Sequence, residues 1–197
     1  MDIAKFCGHH DPRSYLRKPM RHDGHLYATN GHIAVRIADD PDIEADPMPH
    51  NMQNGVLQKM ATDTTERTWF PVPKIDKATI PRCQLCDGTG RAKLCPSCDG
   101  TGEFEHYGID YECKCCNGSG YDESLLECNT TVCPDCGGCG LEWREPIKID
   151  GVLIAARYLH LIGTEIPGAE IGVSNDPNGM QLFRAPGVIG VVIPMRP

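Results

Sequence analysis

The chain lacks long hydrophobic runs. Its most apolar stretch, at residues 188–193, is far shorter than the roughly 20 residues that a transmembrane helix needs. The first five residues, MDIAK, have no apolar core of the kind found in a secretory signal. We therefore expect no membrane partner and a cytoplasmic, reducing compartment, where cysteines bind metal more often than they form disulfides.

Motifs of the common enzyme classes are also missing. The sequence has no Gly-x-Ser-x-Gly elbow, no phosphate-binding loop ending in Gly-Lys-Ser/Thr and no His-Glu-x-x-His helix. Carboxylates are plentiful, but none is paired at a spacing that identifies a general acid and a general base. We expect no catalytic residues and no enzymatic activity, with thiol–disulfide chemistry as the one enzymatic alternative.

Cysteine is the residue that the sequence has in excess. It accounts for 12 of 197 residues, and eleven of the twelve lie within residues 83–140. This block contains only eleven other apolar residues. So few cannot offset the conformational entropy of ordering the backbone, which costs about 1–2 kcal/mol per residue. Disulfides or metal ions must therefore hold the block together.

The spacing of the cysteines favours metal. The pattern C-x-x-C-x-G-x-G occurs four times, at residues 83–90, 95–102, 113–120 and 133–140. Two thiolates separated by two residues can bind one tetrahedral zinc ion, and the glycines allow a tight turn that points backbone N–H groups at the sulfurs. The pattern predicts two Zn²⁺ ions, with eight ligands: Cys83, Cys86, Cys95, Cys98, Cys113, Cys116, Cys133 and Cys136. A redox or disulfide framework is the alternative.

The four repeats resemble the cysteine-rich zinc-binding region of DnaJ-type co-chaperones. In that family the first pair of cysteines shares a zinc ion with the fourth pair, and the second pair shares one with the third. The resemblance therefore implies one ion bound by Cys83, Cys86, Cys133 and Cys136, and another bound by Cys95, Cys98, Cys113 and Cys116. The His-Pro-Asp string of a J-domain is absent, so ATPase-stimulating activity has no residues to carry it.

The remaining cysteines have no clear partner in the pattern. Within the block these are Cys115, Cys128 and Cys139. We interpret them as spare thiols or as alternative ligands for the same ions. A third site that includes His106 has no pair spacing to support it. Outside the block, Cys7 with His9 and His10 is predicted to form a surface cluster.

The flanking sequence predicts an α+β fold. Asn30-Gly31 and Asp150-Gly151 each separate two β-prone runs, which is a strong hairpin signal. Further strands are predicted at residues 170–174, 180–184 and 188–193. We expect a small antiparallel sheet interrupted by the cysteine block, which would form an extended β-hairpin insertion.

Two short helices complete the predicted fold. One is expected at residues 13–18, after Asp11-Pro12. The other is expected at residues 155–162, with Gly163 as its stop. Residues 39–68 are predicted to form a long loop. The predicted domains are residues 1–82 together with 141–197, and the insertion at 83–140.

Three short runs in the flanks resemble one domain of the bacterial beta-type DNA sliding clamp. They are ATNGH at residues 28–32, the run from Ile149-Asp150 into RYL at 157–159, and VVIPMR at 191–196. The resemblance implies a clamp-like antiparallel sheet and inward-facing cations that track DNA. It also implies a partner-peptide groove beside the last strand. A clamp ring contains six such domains, so a ring of this chain would require a homo-oligomer.

Candidate binding residues follow from this resemblance. The DNA-facing candidates are Lys5, Arg13, Arg17, Lys18 and Arg21, in the most basic stretch of a chain whose net charge is −8. A solvated surface without a ligand is the alternative. The residues expected to border the partner groove are Val191, Ile193, Pro194 and Met195. An edge strand whose inner face lies in the core is the alternative.

The charge of the cysteine block favours a protein partner. Residues 83–140 contain ten acidic and three basic residues, the wrong sign for binding phosphates. We predict a non-enzymatic, zinc-binding adaptor, phage- or mobile-element-encoded, that acts in DNA replication or repair. It would dock a protein partner and contact DNA through its N-terminal segment. The alternative function is a DnaJ-related, chaperone-type binder of unfolded client protein.

Overall fold

The chain folds as two compact units. The computed structural model describes residues 1–8, 11–53, 55, 57, 60, 62–122, 129–143, 145–176 and 178–196. The first unit comprises Met1–Ile75 and Arg144–Pro197, and the second comprises Asp76–Trp143. The cysteine block at residues 83–140 lies inside the second unit. Each unit has buried residues of its own.

Short strands make up most of the regular structure. They are β1 (Met20–His22), β2 (His25–Thr29), β3 (Ile33–Ala38), β4 (Asp46–Pro47), β5 (Arg67–Pro71), β6 (Arg91–Lys93), β7 (Glu103–His106), β8 (Ile109–Glu112), β9 (Thr130–Val132), β10 (Pro146–Ile149), β11 (Val152–Ala155), β12 (Glu170–Ser174), β13 (Gln181–Ala185) and β14 (Val188–Val192). The helical segments with described bounds are α1 (Ala156–Glu165) and five 3₁₀ turns: Ile3–Phe6, Ser14–Leu16, His50–Met52, Lys77–Thr79 and Gln84–Cys86. The fold is α+β, as predicted.

The first unit contains one eight-stranded sheet and a separate two-stranded sheet of β10 and β11. The strands of the larger sheet lie in the order β4-β1-β2-β3-β14-β13-β12-β5, and all neighbours are antiparallel except β1 and β4. The predicted hairpins are present, since β2 pairs with β3 and β10 pairs with β11. The start of β5, which the sequence assigned to a loop, lies at the sheet edge against β12.

The central strands are buried on both faces. Leu26 and Phe183 pack in one hydrophobic cluster together with Leu159 of helix α1. Tyr27 and Leu182, their neighbours in sequence, belong to a second cluster. Successive side chains of a strand point to opposite faces, so this alternation means that both sides of the sheet are covered.

The prediction of two short helices is wrong for the first of them. Residues 13–18 contain only a three-residue 3₁₀ turn. The Asp11 carboxylate does not cap a helix, because it accepts hydrogen bonds from the N–H and the guanidinium of Arg13. The backbone of Arg13 is extended (φ −76°, ψ 104°). The second helix is α1, which continues through Gly163. Core packing of Ile162 and Ile166 outweighs the roughly 1 kcal/mol that an internal glycine costs. Within the described ranges, no helix is both long and apolar enough to cross a membrane.

The second unit is built from small sheets and cysteine clusters. Strand β6 pairs with β9, and β7 pairs with β8, as two separate two-stranded sheets. Apart from glycines, its buried residues are cysteines, with Ala92 as the one buried apolar side chain of another type among its described residues. The unit therefore depends on its cysteines for cohesion.

Candidate metal centres and an apolar groove

The eight motif cysteines come together in two groups of four. The first cysteine group joins the first and fourth repeats: Cys83, Cys86, Cys133 and Cys136. The second cysteine group joins the second and third repeats: Cys95, Cys98, Cys113 and Cys116. In each group all four sulfurs lie within 4.8 Å of one another. This is the grouping that the resemblance to the DnaJ-type region implies.

The distances between sulfurs fit a tetrahedral metal ion. The Sγ–Sγ separation is 3.7 Å between Cys83 and Cys133, and 3.8 Å between Cys86 and Cys136. The corresponding distances in the second group are 3.9 and 3.8 Å. A tetrahedron with zinc–sulfur bonds of about 2.3 Å has edges of about 3.8 Å, whereas a disulfide holds its sulfurs about 2.05 Å apart. Each group can therefore hold one zinc ion, as predicted.

Backbone N–H groups support the sulfurs. The last glycine of each motif donates its N–H to the second cysteine sulfur of the same motif, at 3.2–3.3 Å. Burial raises the pKa of Cys98, but hydrogen bonds from the N–H groups of Gly102 and Gly100, together with those to Cys113 and Cys116, outweigh burial and lower this pKa to about 7. At Cys83 burial dominates and raises the pKa to about 12. Four thiolates held this close together repel one another, and a bound dication stabilises them by offsetting half of their negative charge.

The last glycine of each motif also allows two repeats to interlock. A Cβ atom on Gly140 would overlap the carbonyl of Gly88, and one on Gly90 would overlap the carbonyl of Gly138. This close approach lets the N–H of Cys83 donate to the carbonyl of Gly140 at 2.9 Å. The second group is built in the same way. The final glycine is therefore required for the packing of one repeat against another as well as for the turn.

The residue after each second cysteine is a determinant that the sequence analysis missed. Asp87, Asp99, Asn117 and Gly137 all have positive φ, between 46° and 61°. Aspartate, asparagine and glycine are the residues that adopt this left-handed conformation most readily. Their recurrence at this one position was the available signal.

Cys139 takes the place of a hydroxyl residue. In the other three motifs Thr89, Thr101 or Ser119 donates to the carbonyl of the second cysteine at 2.7 Å. Cys139 occupies the equivalent position in the fourth motif, and its Sγ lies 3.5 Å from the carbonyl of Leu141. This contact accounts for one spare cysteine without assigning it to a metal ion.

The other spare cysteines lie apart from the two groups. Cys115 is exposed, and Cys128 falls outside the described residues. The described residues form no third group of potential metal ligands, and His106 belongs to neither group. Cys7 is buried in the core of the first unit, where burial raises its pKa to about 11. The predicted surface position is therefore wrong for Cys7, and His9 and His10 lie outside the described residues.

The predicted DNA-facing cations are mostly matched by carboxylates. Lys5 contacts Glu165, Arg13 contacts Asp11, Lys18 contacts Glu44 and Arg21 contacts Asp39, all at 2.6–2.8 Å. The remaining cation of the set, Arg17, donates to the backbone carbonyl of Asp11. The cluster therefore has little uncompensated positive charge.

An apolar groove in the first unit brings together residues of the ATNGH run at 28–32 and of the VVIPMR run at 191–196. Its volume is about 280 Å³. Thr29, Gly31 and His32 of the ATNGH run line it together with Val191 and Ile193 from the end of the chain. Much of the remaining lining is apolar: Leu16, Ile33, Met52, Leu57 and Met180.

The other two predicted groove residues lie differently. Pro194 and Met195 are not among the residues that line the groove. The N–H of Met195 donates to the carbonyl of Leu153 at 2.7 Å, which ties this segment to β11. The groove is therefore bordered by the strand β14 and Ile193 rather than by the last few residues.

Comparison with known protein families, with curated proteins and with solved structures finds no match to this chain. Any function proposed for it therefore depends on the two cysteine groups, the apolar groove and the surface of the second unit.

Proposed function

We propose that the protein is a non-enzymatic, zinc-stabilised adaptor that acts in DNA replication or repair by binding a protein partner. The observation that carries this proposal is the apolar groove. Residues of the ATNGH run and of the last strand are far apart in sequence but line one cavity. These are two of the three runs that resemble the beta-type clamp, where the last strand borders the partner-peptide pocket.

The groove suits a short apolar segment of another protein. Its volume of about 280 Å³ is at the lower end of the range for ligand pockets, about 300–1,000 Å³. A cavity of this size accepts one or two large side chains, and its lining offers them mainly aliphatic and methionine side chains. Arg13 and Asn51 supply polar groups among the lining residues. We infer a linear peptide with apolar anchor residues as the ligand.

Zinc has a structural role in this proposal. Four cysteine ligands per ion leave no coordination position for water or substrate. When bound, each ion cross-links two repeats of the second unit, whose buried side chains are almost all those of cysteines. The protein's own residues then supply the partner-binding surfaces.

Binding of DNA is the less supported part of the proposal. Four of the five candidate cations each contact a carboxylate, and the net charge of the chain is −8. Light scattering and salt-dependent DNA binding test this part directly. A monomer that does not associate with DNA would exclude a ring around the duplex and leave peptide binding as the proposed activity.

A displayed library of random peptides, selected against the zinc-loaded protein, tests the groove. Ile193 and Met195 form a matched pair, because they are 43% and 42% exposed and only Ile193 lines the groove. The selected peptides should carry apolar anchors and bind Ile193→Asp at least tenfold more weakly than the wild type. Met195→Asp should bind them with nearly wild-type affinity. Peptides that bind Ile193→Asp normally would refute the assignment.

A different assay distinguishes the chaperone-type function from the adaptor function. A client binder suppresses aggregation of a chemically denatured protein at stoichiometric ratios. The adaptor proposed here should have no such effect. Suppression that survives Ile193→Asp would favour the chaperone function over the groove.

A further inference from the structure

A two-stranded hairpin of the second unit has no covering layer among the residues that the structure describes. Strands β7 and β8 pair only with each other, with Phe104 opposite Tyr111 and His106 opposite Ile109. All eight residues of the two strands are exposed. An isolated two-stranded hairpin of this kind is at best marginally stable in water.

The second cysteine group holds the base of this hairpin. The N–H of Cys113, directly after β8, donates to the carbonyl of Gly102, directly before β7, at 2.8 Å. Cys98 and Cys116 lie just outside these two residues and belong to the same group. The hairpin is therefore anchored at one end, and the side chains of its two strands are exposed.

One face of the hairpin is apolar and aromatic. Side chains alternate along a strand, and directly opposite residues share a face. The register therefore places Phe104, His106, Ile109 and Tyr111 together. Ile109 and Tyr111 are 55% and 49% exposed, which is unusual for side chains of this size in a contiguous set.

The opposite face consists entirely of carboxylates. Glu103 lies opposite Glu112, and Glu105 lies opposite Asp110. Like charges directly across a sheet are unfavourable. The nearest cation that pairs with this set in the described part of the chain is Lys114, which is 3.6 Å from Glu112 and itself highly exposed. The hairpin therefore carries an apolar face and an acidic face, and both are exposed.

The turn of the hairpin has an unusual residue at its tip. Tyr107 and Gly108 both have positive φ, 54° and 73°, as in a type I′ turn, which prefers asparagine, aspartate or glycine at its first position. Two other tight turns of this chain follow that preference, with Asp23-Gly24 and Asp150-Gly151. Tyr107 is disfavoured by the backbone and is 92% exposed. Its ring contacts the ring of His106, with centroids 4.3 Å apart, but this contact leaves it exposed, so core packing does not explain its presence.

We propose that this hairpin is a docking site for an extended segment of a partner protein in which apolar residues alternate with lysine or arginine. Such a segment would add as a third strand to an open edge of β7 or β8. Its apolar side chains would then extend the face that holds Phe104 and Ile109. Its cations would fall on the face that holds Glu105 and Asp110. The acidic face repels nucleic acids and anionic lipids, so charge complementarity selects a basic polypeptide.

This site is separate from the apolar groove, and the two can be tested independently. The probe is a synthetic peptide, Thr-Val-Lys-Ile-Arg-Val-Lys-Thr, labelled at one end for fluorescence anisotropy with the zinc-loaded full chain. A permuted peptide of the same composition, with its apolar residues consecutive, is the control. The alternating peptide should bind at least tenfold more tightly than the permuted one, and added salt should weaken its binding.

Variants locate the binding to the hairpin. Tyr107→Asn improves the turn but removes the exposed ring, so a loss of at least fivefold in affinity cannot come from misfolding. Ile109→Thr, which keeps a β-branched side chain, and Glu105→Gln should each weaken binding by a similar factor. Asp135→Asn, which neutralises an exposed carboxylate elsewhere in the second unit, should have no effect.

Three results would overturn the docking site. Equal affinity for the permuted peptide would mean that charge alone attracts the probe. Wild-type affinity in both Tyr107→Asn and Ile109→Thr would show that the hairpin is not the site. Loss of probe binding in Ile193→Asp would place the peptide in the apolar groove instead. Normal binding of the probe to Ile193→Asp supports the hairpin as the site, even if the groove has no ligand.

Discussion

Replacing Gly140 with alanine should weaken zinc binding at the first cysteine group far more than replacing Gly137 with alanine. Both glycines belong to the fourth repeat, and both have positive φ, 73° and 61°. They differ in their surroundings. A Cβ atom on Gly137 would have no neighbour within 4 Å, whereas one on Gly140 would overlap the backbone of Gly88.

The expected difference follows from the contacts at Gly140. The left-handed conformation costs alanine about 1–2 kcal/mol at either position. At Gly140 the two repeats must also move apart, which lengthens the N–H bond to Cys136 Sγ (3.2 Å) and the bond from the N–H of Cys83 (2.9 Å). Loss of a bond to a charged sulfur and of a backbone bond adds about 3 kcal/mol. This corresponds to about a hundredfold in the zinc dissociation constant, because metal binding and folding are coupled.

Competition with a chromophoric chelator measures this difference in the full chain. The second cysteine group serves as an internal reference, since neither substitution touches it. Gly137→Ala should bind zinc about 5–30-fold more weakly than the wild type, which is the factor that a backbone cost of about 1–2 kcal/mol predicts. Equal dissociation constants for the two variants would refute the idea that the final glycine is required for the close approach of two repeats.

Further predictions concern the two units separately. Removal of zinc by a chelator should abolish amide-exchange protection in residues 83–140 and preserve it in the large sheet of the first unit; equal loss in both would contradict the division into units. Leu159→Ala, at a fully buried position of α1, should reduce the free energy of unfolding by about 2–5 kcal/mol in urea without changing zinc content. Hydrogen bonds from Thr65 and, to a smaller extent, from the Arg67 guanidinium lower the pKa of Asp63 to about 2. Because the folded pKa lies below the unfolded value, this stabilisation is complete above about pH 4 and is lost as the pH falls towards 2. Asp63→Asn should lack this acid-dependent step in a circular-dichroism titration.

The zinc ligands could be predicted from sequence because the information is local. Each C-x-x-C-x-G-x-G motif places two sulfurs and their N–H donors within eight residues, so spacing alone identifies the chemistry. The hairpins around Asn30-Gly31 and Asp150-Gly151 were predictable for the same reason, since turn type depends on adjacent residues. Composition also indicated that the cysteine block has almost no apolar core.

Features that depend on distant residues could not be obtained in this way. Lys5 forms an ion pair with Glu165, and Lys18 forms one with Glu44, so a stretch that is basic in sequence is nearly neutral in space. Cys7 is buried because the turn at Ile3–Phe6 packs into the core of the first unit.

Local motifs thus specify which atoms bind metal, and long-range packing specifies which motifs meet. Four equivalent repeats allow several pairings, and only the folded chain brings Cys83 to Cys133 and Cys95 to Cys113. The same holds for the groove, whose walls come from both ends of the chain, and for the two faces of the hairpin, which depend on the register between β7 and β8. Side-chain chemistry is a property of the residue, whereas proximity between distant residues is created by burial and strand pairing.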